Sequence, residues 1–282
     1  METVDAFVAF FFASFWVKVV LAPILFCAIG YFVFGIKSEA SRHAIQNGAA
    51  TIVFAVGNLV FFILVGNVAI YYLRILYYSM SLPSMDVTVW TTMPAWLASI
   101  IVLIVVDFID YWSHRLFHTR WFWPVHAAHH SDTHVNAFTS HRFHFLETML
   151  DNVFYIVLLS WMNRPDVLPI VVLVNYLHGF YVHMDLPFKH GPFKLLIASP
   201  VFHRWHHMDT PEAYGKNLAA TMPVWDVIFG TYKDISHIDA PMGARASGVE
   251  DKNPIVMLIE PFLIWGKLFG EERDRRENQV EG

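Results

Sequence analysis

Gly48 to Leu73 contains no charged side chain. That run exceeds the roughly 20 apolar residues that one helical crossing of a bilayer requires. In hydrocarbon a segment must satisfy its own backbone N–H and C=O groups, so it folds as a helix unless it belongs to a closed barrel. Val87 to Val106 offers a second span, ending at Asp107, and Ala6 to Ile36 is apolar except for Lys18, with a kink expected at Pro23. The last stretch is longer than one crossing needs, so part of it can lie along the interface. Asn152 to Asn163 and Val167 to Val182 are shorter and flank the breaker Arg164-Pro165-Asp166, which reads as a helical hairpin. The whole chain agrees with these runs: 56% of its 282 residues are hydrophobic, 15% are charged, and mean hydropathy is +0.43. The expected fold class is an all-α, multi-pass integral membrane protein.

Three regions follow: N-terminal transmembrane helices over 1–106, a catalytic region over 107–232 that includes a membrane hairpin at about 145–182, and a C-terminal interfacial segment with a charged tail over 233–282. The N-terminus carries Glu2 and Asp5 where a secretory signal would carry Lys or Arg, and it reads as uncleaved. Lys37 and Arg42 lie between the first two apolar runs, whereas the next loop has only Arg74, so the first loop is expected on the cytoplasmic side. Counting onward brings the region after Val106 to that same face. A net charge of -5 gives no basic footprint for nucleic acid. The single Cys27 excludes a disulfide framework and a thiolate-held iron–sulfur cluster.

Fourteen of the 16 histidines fall between His114 and His207, where even scatter would place about five. They form HRLFH (His114, His118), HAAHH (His126, His129, His130) and HRWHH (His203, His206, His207). Spacings of three and four put side chains on one helical face, and neutral imidazole is the commonest side-chain metal ligand. Eight such residues have no packing purpose, and they point to a histidine-rich metal site. His144 and His183 sit at the two ends of the hairpin and can reach the same mouth, whereas His141 and His178 remain open. His43, His134, His190 and His237 read as interfacial hydrogen-bonding residues.

Eight or more ligands exceed the capacity of one tetrahedral or octahedral ion, so two metals are expected; imidazole alone does not choose among zinc, copper, iron and nickel. Asp107, Asp110, Glu147 and Asp226 are too scattered for a carboxylate-rich site. They fit better as acceptors for the outer ring nitrogens, with Asp107, Asp110 and Asp226 the leading candidates, although Asp107 and Asp110 can equally be the charged end of a membrane helix. Trp112, Trp121, Phe122, Trp123 and Trp205 either line the mouth of the site or form an interfacial belt. Two other function classes accommodate histidine clusters. A metal transporter would place ionisable ligands inside the spans, and 48–73 and 87–106 have none. A zinc-dependent membrane hydrolase would use three protein ligands and an open position, fewer than are present.

DFIDYWSHRLFH, VHAAHHS, TSHRFHFLE, FYVHMDLPF, PVFHRWHHMD and WDVIFGTY occur in the order found in the sterol desaturase and fatty acid hydroxylase superfamily, which the region Asp107 to Tyr232 resembles. The resemblance implies a di-iron oxygenase on the cytoplasmic face of a bacterial inner membrane or endoplasmic reticulum, acting with dioxygen on a C–H bond of a lipid. Sterols, fatty acyl chains and sphingoid bases are all candidate substrates, and hydroxylation and desaturation are both open. It implies two iron ions, replaceable by zinc on overexpression, and a separate electron donor of the cytochrome b5 or ferredoxin/reductase kind. By position it assigns His114, His118, His126, His129, His130, His203, His206 and His207 as ligands, with His144 and His183 in the intermediate positions. NYLHGFYVH spaces His178 from His183 by five where some members carry HxxxH, and EAYGKN has Ala213 where the family usually has Asn. Whether Asn217 takes its place is left open by the sequence.

Overall fold

The computed structural model describes residues 16–36, 43–235, 238, 240–245 and 253–280. Glu2, Asp5, Lys37, Arg42 and His237, on which the expected N-terminus, topology and one surface histidine rest, lie outside the described residues. Among those described, the chain is helical without a strand; an isolated bridge pairs Met208 with Met242.

Helix α1 (Ala22–Phe32) is preceded by a π-helical turn, Val17–Leu21. Pro23, where a kink is expected, sits in the first turn of this helix, just after a wider turn that accommodates a ring with no N–H to donate. Helix α2 (Ala44–Phe61) passes through a second π turn, Phe62–Gly66, into α3 (Asn67–Ser79). That turn requires Gly66, because a Cβ there would collide with the Phe62 ring. Helix α4 (Ala95–Phe117) begins after Pro94 and continues past the expected end at Val106, so His114 rides on its last turn. The unbroken helix Gln46–Ser79, α4 and α6 (Phe145–Met162) are long and apolar enough to cross a membrane. The chain is a membrane protein.

Asn163, in the left-handed conformation, ends α6, and a 3-10 turn at Pro165–Val167 leads into α7 (Leu168–His183). Both α6 and α7 pack on α4, where Ala98, Val102 and Val106, four residues apart, meet Met162, Val167 and Val171. Three short helices complete the metal-facing side: α5 (Trp123–His130), α8 (Pro200–His206) and α9 (Val224–Ile228). Pro124 and Pro200 occupy first-turn positions, where a missing N–H costs nothing, and Ser199 caps α8 by accepting from Phe202 N. The last helix, α10 (Glu260–Val280), packs on α5 and leaves Leu263 and Phe269 exposed.

Helix α2 aligns Asn47, Thr51 and Asn58 on one inner face, with Asn47 and Thr51 buried. Asn47 donates to both oxygens of Asp132 (3.0 and 2.8 Å) and to the His134 carbonyl, Thr51 to the Phe138 carbonyl (2.8 Å), and Asn58 to the Phe143 carbonyl (2.8 Å). Separations of four and seven residues align the three donors along the segment that follows the HAAHH box. Asn47→Ala strips a buried carboxylate of two donated hydrogen bonds. It is expected to cost about 2 kcal/mol, read as a lower unfolding midpoint of the detergent-solubilised protein.

Candidate metal centre

Nine of the ten histidines singled out in the sequence converge into two groups. His114, His118, His126, His130 and His206 form one; His129, His183, His203 and His207 form the other; within each, the candidate donor atoms lie within 4.8 Å of one another. The arithmetic of the helix explains the partition. Residues four apart share a face and the residue between them at i+3 is rotated away, so HAAHH sends His126 and His130 to the first group and His129 to the second. HRWHH does the reverse, sending His203 and His207 to the second group and His206 to the first. HAAHH and HRWHH therefore each serve both groups. His114 and His118 come from the end of α4, and His183 is the last residue of α7.

Hydrogen bonds outside the groups fix how the rings face. His114 Nδ1 lies 2.6 Å from the Leu218 carbonyl, His206 Nδ1 2.8 Å from that of Lys216, and His183 Nδ1 2.6 Å from that of Gly179. A carbonyl only accepts, so each Nδ1 carries the proton and each Nε2 presents a lone pair inward. His126 Nδ1 donates to Glu147 Oε1 at 2.7 Å with the same result. Yet His114 Nε2 stands 3.1 Å from the Nε2 atoms of both His126 and His206, and 3.3 Å from that of His118. In the second group the Nε2 separations are 3.0 Å (His203 to His183), 3.3 Å (His207 to His203) and 3.4 Å (His183 to His129). Lone pairs facing at such distances repel unless a cation lies between them. Nitrogens each about 2.1 Å from one divalent ion stand about 3.0 to 3.4 Å apart, so the residues fit two metal ions.

Of the four acidic residues expected as outer acceptors, Glu147 takes that role and the three leading candidates do not. Asp107 accepts from Thr221 N, Met222 N and Trp225 Nε1, Asp110 from the Tyr155 hydroxyl, and Asp226 from Leu218 N, Ala219 N and Thr231 Oγ1. None of the three accepts from a histidine ring; the carboxylate that does is Glu147. Asp226 acts one step removed, because it holds the loop whose Leu218 carbonyl orients His114. Asn217, left-handed at φ 54° and fully buried, completes that loop: its Oδ1 accepts from Lys233 N at 2.7 Å, and the carbonyls on either side, of Lys216 and Leu218, serve His206 and His114. The WDVIFGTY segment is thus the brace of two candidate ligands. The carbonyl acceptors carry no side-chain signal in the sequence; the signal for Glu147 was an acidic residue in the first turn of an apolar helix.

His144 stands apart from both groups. Its Nδ1 accepts from Leu146 N and caps α6, and its Nε2 meets the Leu258 carbonyl at 3.1 Å. His178 meets the Ala198 carbonyl, His141 packs on Tyr176 and Phe180, His43 stacks on His134, and His190 accepts from the Tyr181 hydroxyl. Of the aromatics, Trp123 lies against the first group, 5.2 Å from the ring centres of His118 and His130. Trp205 is buried, and Trp112 and Trp121 are exposed. Burial, reinforced by neighbouring imidazoles, holds His118, His126, His130 and His207 well below the ordinary imidazole range. They are neutral, as ligands must be.

Residues 99–231 match the family model of the fatty acid hydroxylases. A little under half of the chain is thus similar to the fatty acid hydroxylase family. Over 128 residues, 45% of the chain, it is 33% identical to alkylglycerol monooxygenase of Xenopus tropicalis, covering 28% of that protein. The human alkylglycerol monooxygenase is 33% identical over 129 residues, 45% of the chain and 29% of its own length. Ornithine lipid hydroxylase OlsE of Rhizobium tropici is 28% identical over 169 residues, 58% of the chain and 50% of its own length. The chain therefore spans less than a third of the monooxygenases it matches and half of the ornithine lipid hydroxylase. No solved structure matches it. The superfamily match covers both histidine groups and the brace that orients them.

Two outcomes test this geometry. The folded rings resist protonation while unfolded ones titrate near 6.5, so the unfolded chain binds more protons below that value. Stability is then fully present above pH 6.5 and is lost progressively as the pH falls from there; unfolding midpoints measured from about pH 8 to 5 should decline only in the acid half. His144→Ala is expected to cost about 1 kcal/mol through the lost cap and to leave the metal content of the purified protein unchanged by elemental analysis.

Proposed function

We propose that the protein is a membrane di-iron oxygenase that hydroxylates or desaturates a C–H bond of a lipid, using dioxygen and electrons from a separate donor. One observation carries the reading: nine imidazoles gather in neighbouring groups of five and four, and outer acceptors hold the Nδ1 proton of His114, His126, His206 and His183 so that their Nε2 lone pairs face inward. A bound iron pair would supply the oxidant that an unactivated C–H bond requires and that side-chain acids and bases cannot provide. The chain's own part is to hold the ligands neutral, to keep water away and to admit an apolar substrate. His126, His129, His130, His206 and His207 are each at most 3% exposed. The helices that carry or brace them have apolar outer faces, so a lipid chain can approach from the bilayer.

The lipid class is supported by the relatives, an alkylglycerol monooxygenase and an ornithine lipid hydroxylase. Within that class, sterols, fatty acyl chains and sphingoid bases remain the candidates. A cytochrome b5-like protein or a ferredoxin with its reductase would supply electrons at the face where the histidines gather, read as cytoplasmic, in a bacterial inner membrane or endoplasmic reticulum.

Labelled dioxygen supplied to membranes containing the protein, with lipids analysed by mass spectrometry, tests the reading. Hydroxylation places one labelled oxygen in the product, and desaturation removes two hydrogens and adds none. A product whose new oxygen is unlabelled and comes from water, or turnover without dioxygen, would favour the zinc hydrolase reading in its place. His118→Ala or His207→Ala should abolish turnover, a loss of at least a hundredfold, while His43→Ala should retain it.

A further inference from the structure

The two histidine groups are supported unequally. In the five-histidine group, three rings have an outer acceptor: the Leu218 and Lys216 carbonyls for His114 and His206, and the Glu147 carboxylate for His126. In the four-histidine group only His183 has one, the Gly179 carbonyl; Nδ1 of His129, His203 and His207 is buried without an acceptor among the described residues. Charge points the same way. Glu147, 2% exposed, adds a carboxylate beside the first group, and its second oxygen has no partner among the described residues. Beside the second group lie guanidinium groups: Arg142 acts on His129, and Arg204 acts on His183, each paired to its own aspartate, Asp132 and Asp185.

An outer acceptor raises the basicity of a ligating imidazole and fixes its orientation, and losing one typically costs 10- to 100-fold in metal affinity. A fifth donor and a nearby negative charge act in the same direction on a divalent cation. We infer that the two metal positions differ in retention: the five-histidine position holds its ion firmly, with Glu147 as the positioning residue that makes it so, and the four-histidine position exchanges its ion. The inference rests on the proposed metal-enzyme reading and adds to it an order of loss.

The test uses the full chain in detergent at neutral pH, loaded with zinc and then exposed to a chelator, with metal per chain followed in time by elemental analysis. Two phases are expected, with a plateau at one ion per chain between them. His203→Ala, which disables the four-histidine group, should leave a single ion that departs in the slow phase. Glu147→Gln, which keeps the shape of the side chain and removes its charge, should speed the slow phase at least tenfold and leave the fast phase unchanged. Release of both ions together, a fast single ion in His203→Ala, or an unaltered slow phase in Glu147→Gln would each overturn the inference while leaving the metal-enzyme reading intact. A chain that takes up no ion would overturn both.

Discussion

Every feature of the metal centre depends on where the proton of each imidazole sits. A free neutral histidine exchanges its proton between two nitrogens, and a cluster of free rings would relax into an internally hydrogen-bonded network. Here the Leu218, Lys216 and Gly179 carbonyls, acceptors with no proton to give, hold that proton at Nδ1 and leave Nε2 bare. Burial then keeps the rings neutral. A mutual hydrogen-bond network is thereby replaced by converging lone pairs, a state whose electrostatic cost a bound cation would offset. The fold can be read as the apparatus that imposes those tautomers: α4 and α7 present ring and carbonyl on one helix or across one loop, and the 216–219 loop supplies the rest.

Membrane character and the gathering of the histidines were legible because they depend on side-chain type and spacing. A run such as 48–73 has one stable fate in a bilayer, and repeated i, i+3, i+4 histidines have few. The crossed sharing, in which each HxxHH box feeds both groups, follows from the same helical spacing once the two boxes are known to face one another. That facing is a tertiary fact. The outer acceptors were illegible for a plain reason: three of four are backbone carbonyls, identical at every position in the sequence. His144 misled because its position near the hairpin mouth was right and its ring orientation was not; capping α6 commits the ring to Leu146 N and the Leu258 carbonyl. Asp107, Asp110 and Asp226 are acidic and near, but backbone N–H groups, an indole N–H and hydroxyls claim them first.

Polar residues in the apolar helices serve position more than solvation. Asn47, Thr51 and Asn58 would each weaken a purely lipid-facing helix. Turned inward, they fasten a long spanning helix to the segment joining the HAAHH box to α6, and so tie the placement of the boxes to the bilayer. The match to alkylglycerol monooxygenases and an ornithine lipid hydroxylase is concentrated in the region that carries the boxes and their brace, consistent with a shared site on chains of different length.

The brace formed by Asn217, Asp226 and Thr231 also sets an order of assembly. His114 leaves the ribosome more than a hundred residues before Thr231, yet its ring is oriented only when the 216–219 loop has closed on Asp226. During synthesis, α4 can therefore enter the membrane with its histidines still free to rotate. The five-histidine group is complete only after the WDVIFGTY segment has emerged and folded back, so any ion held there would be taken up late in the life of the nascent chain.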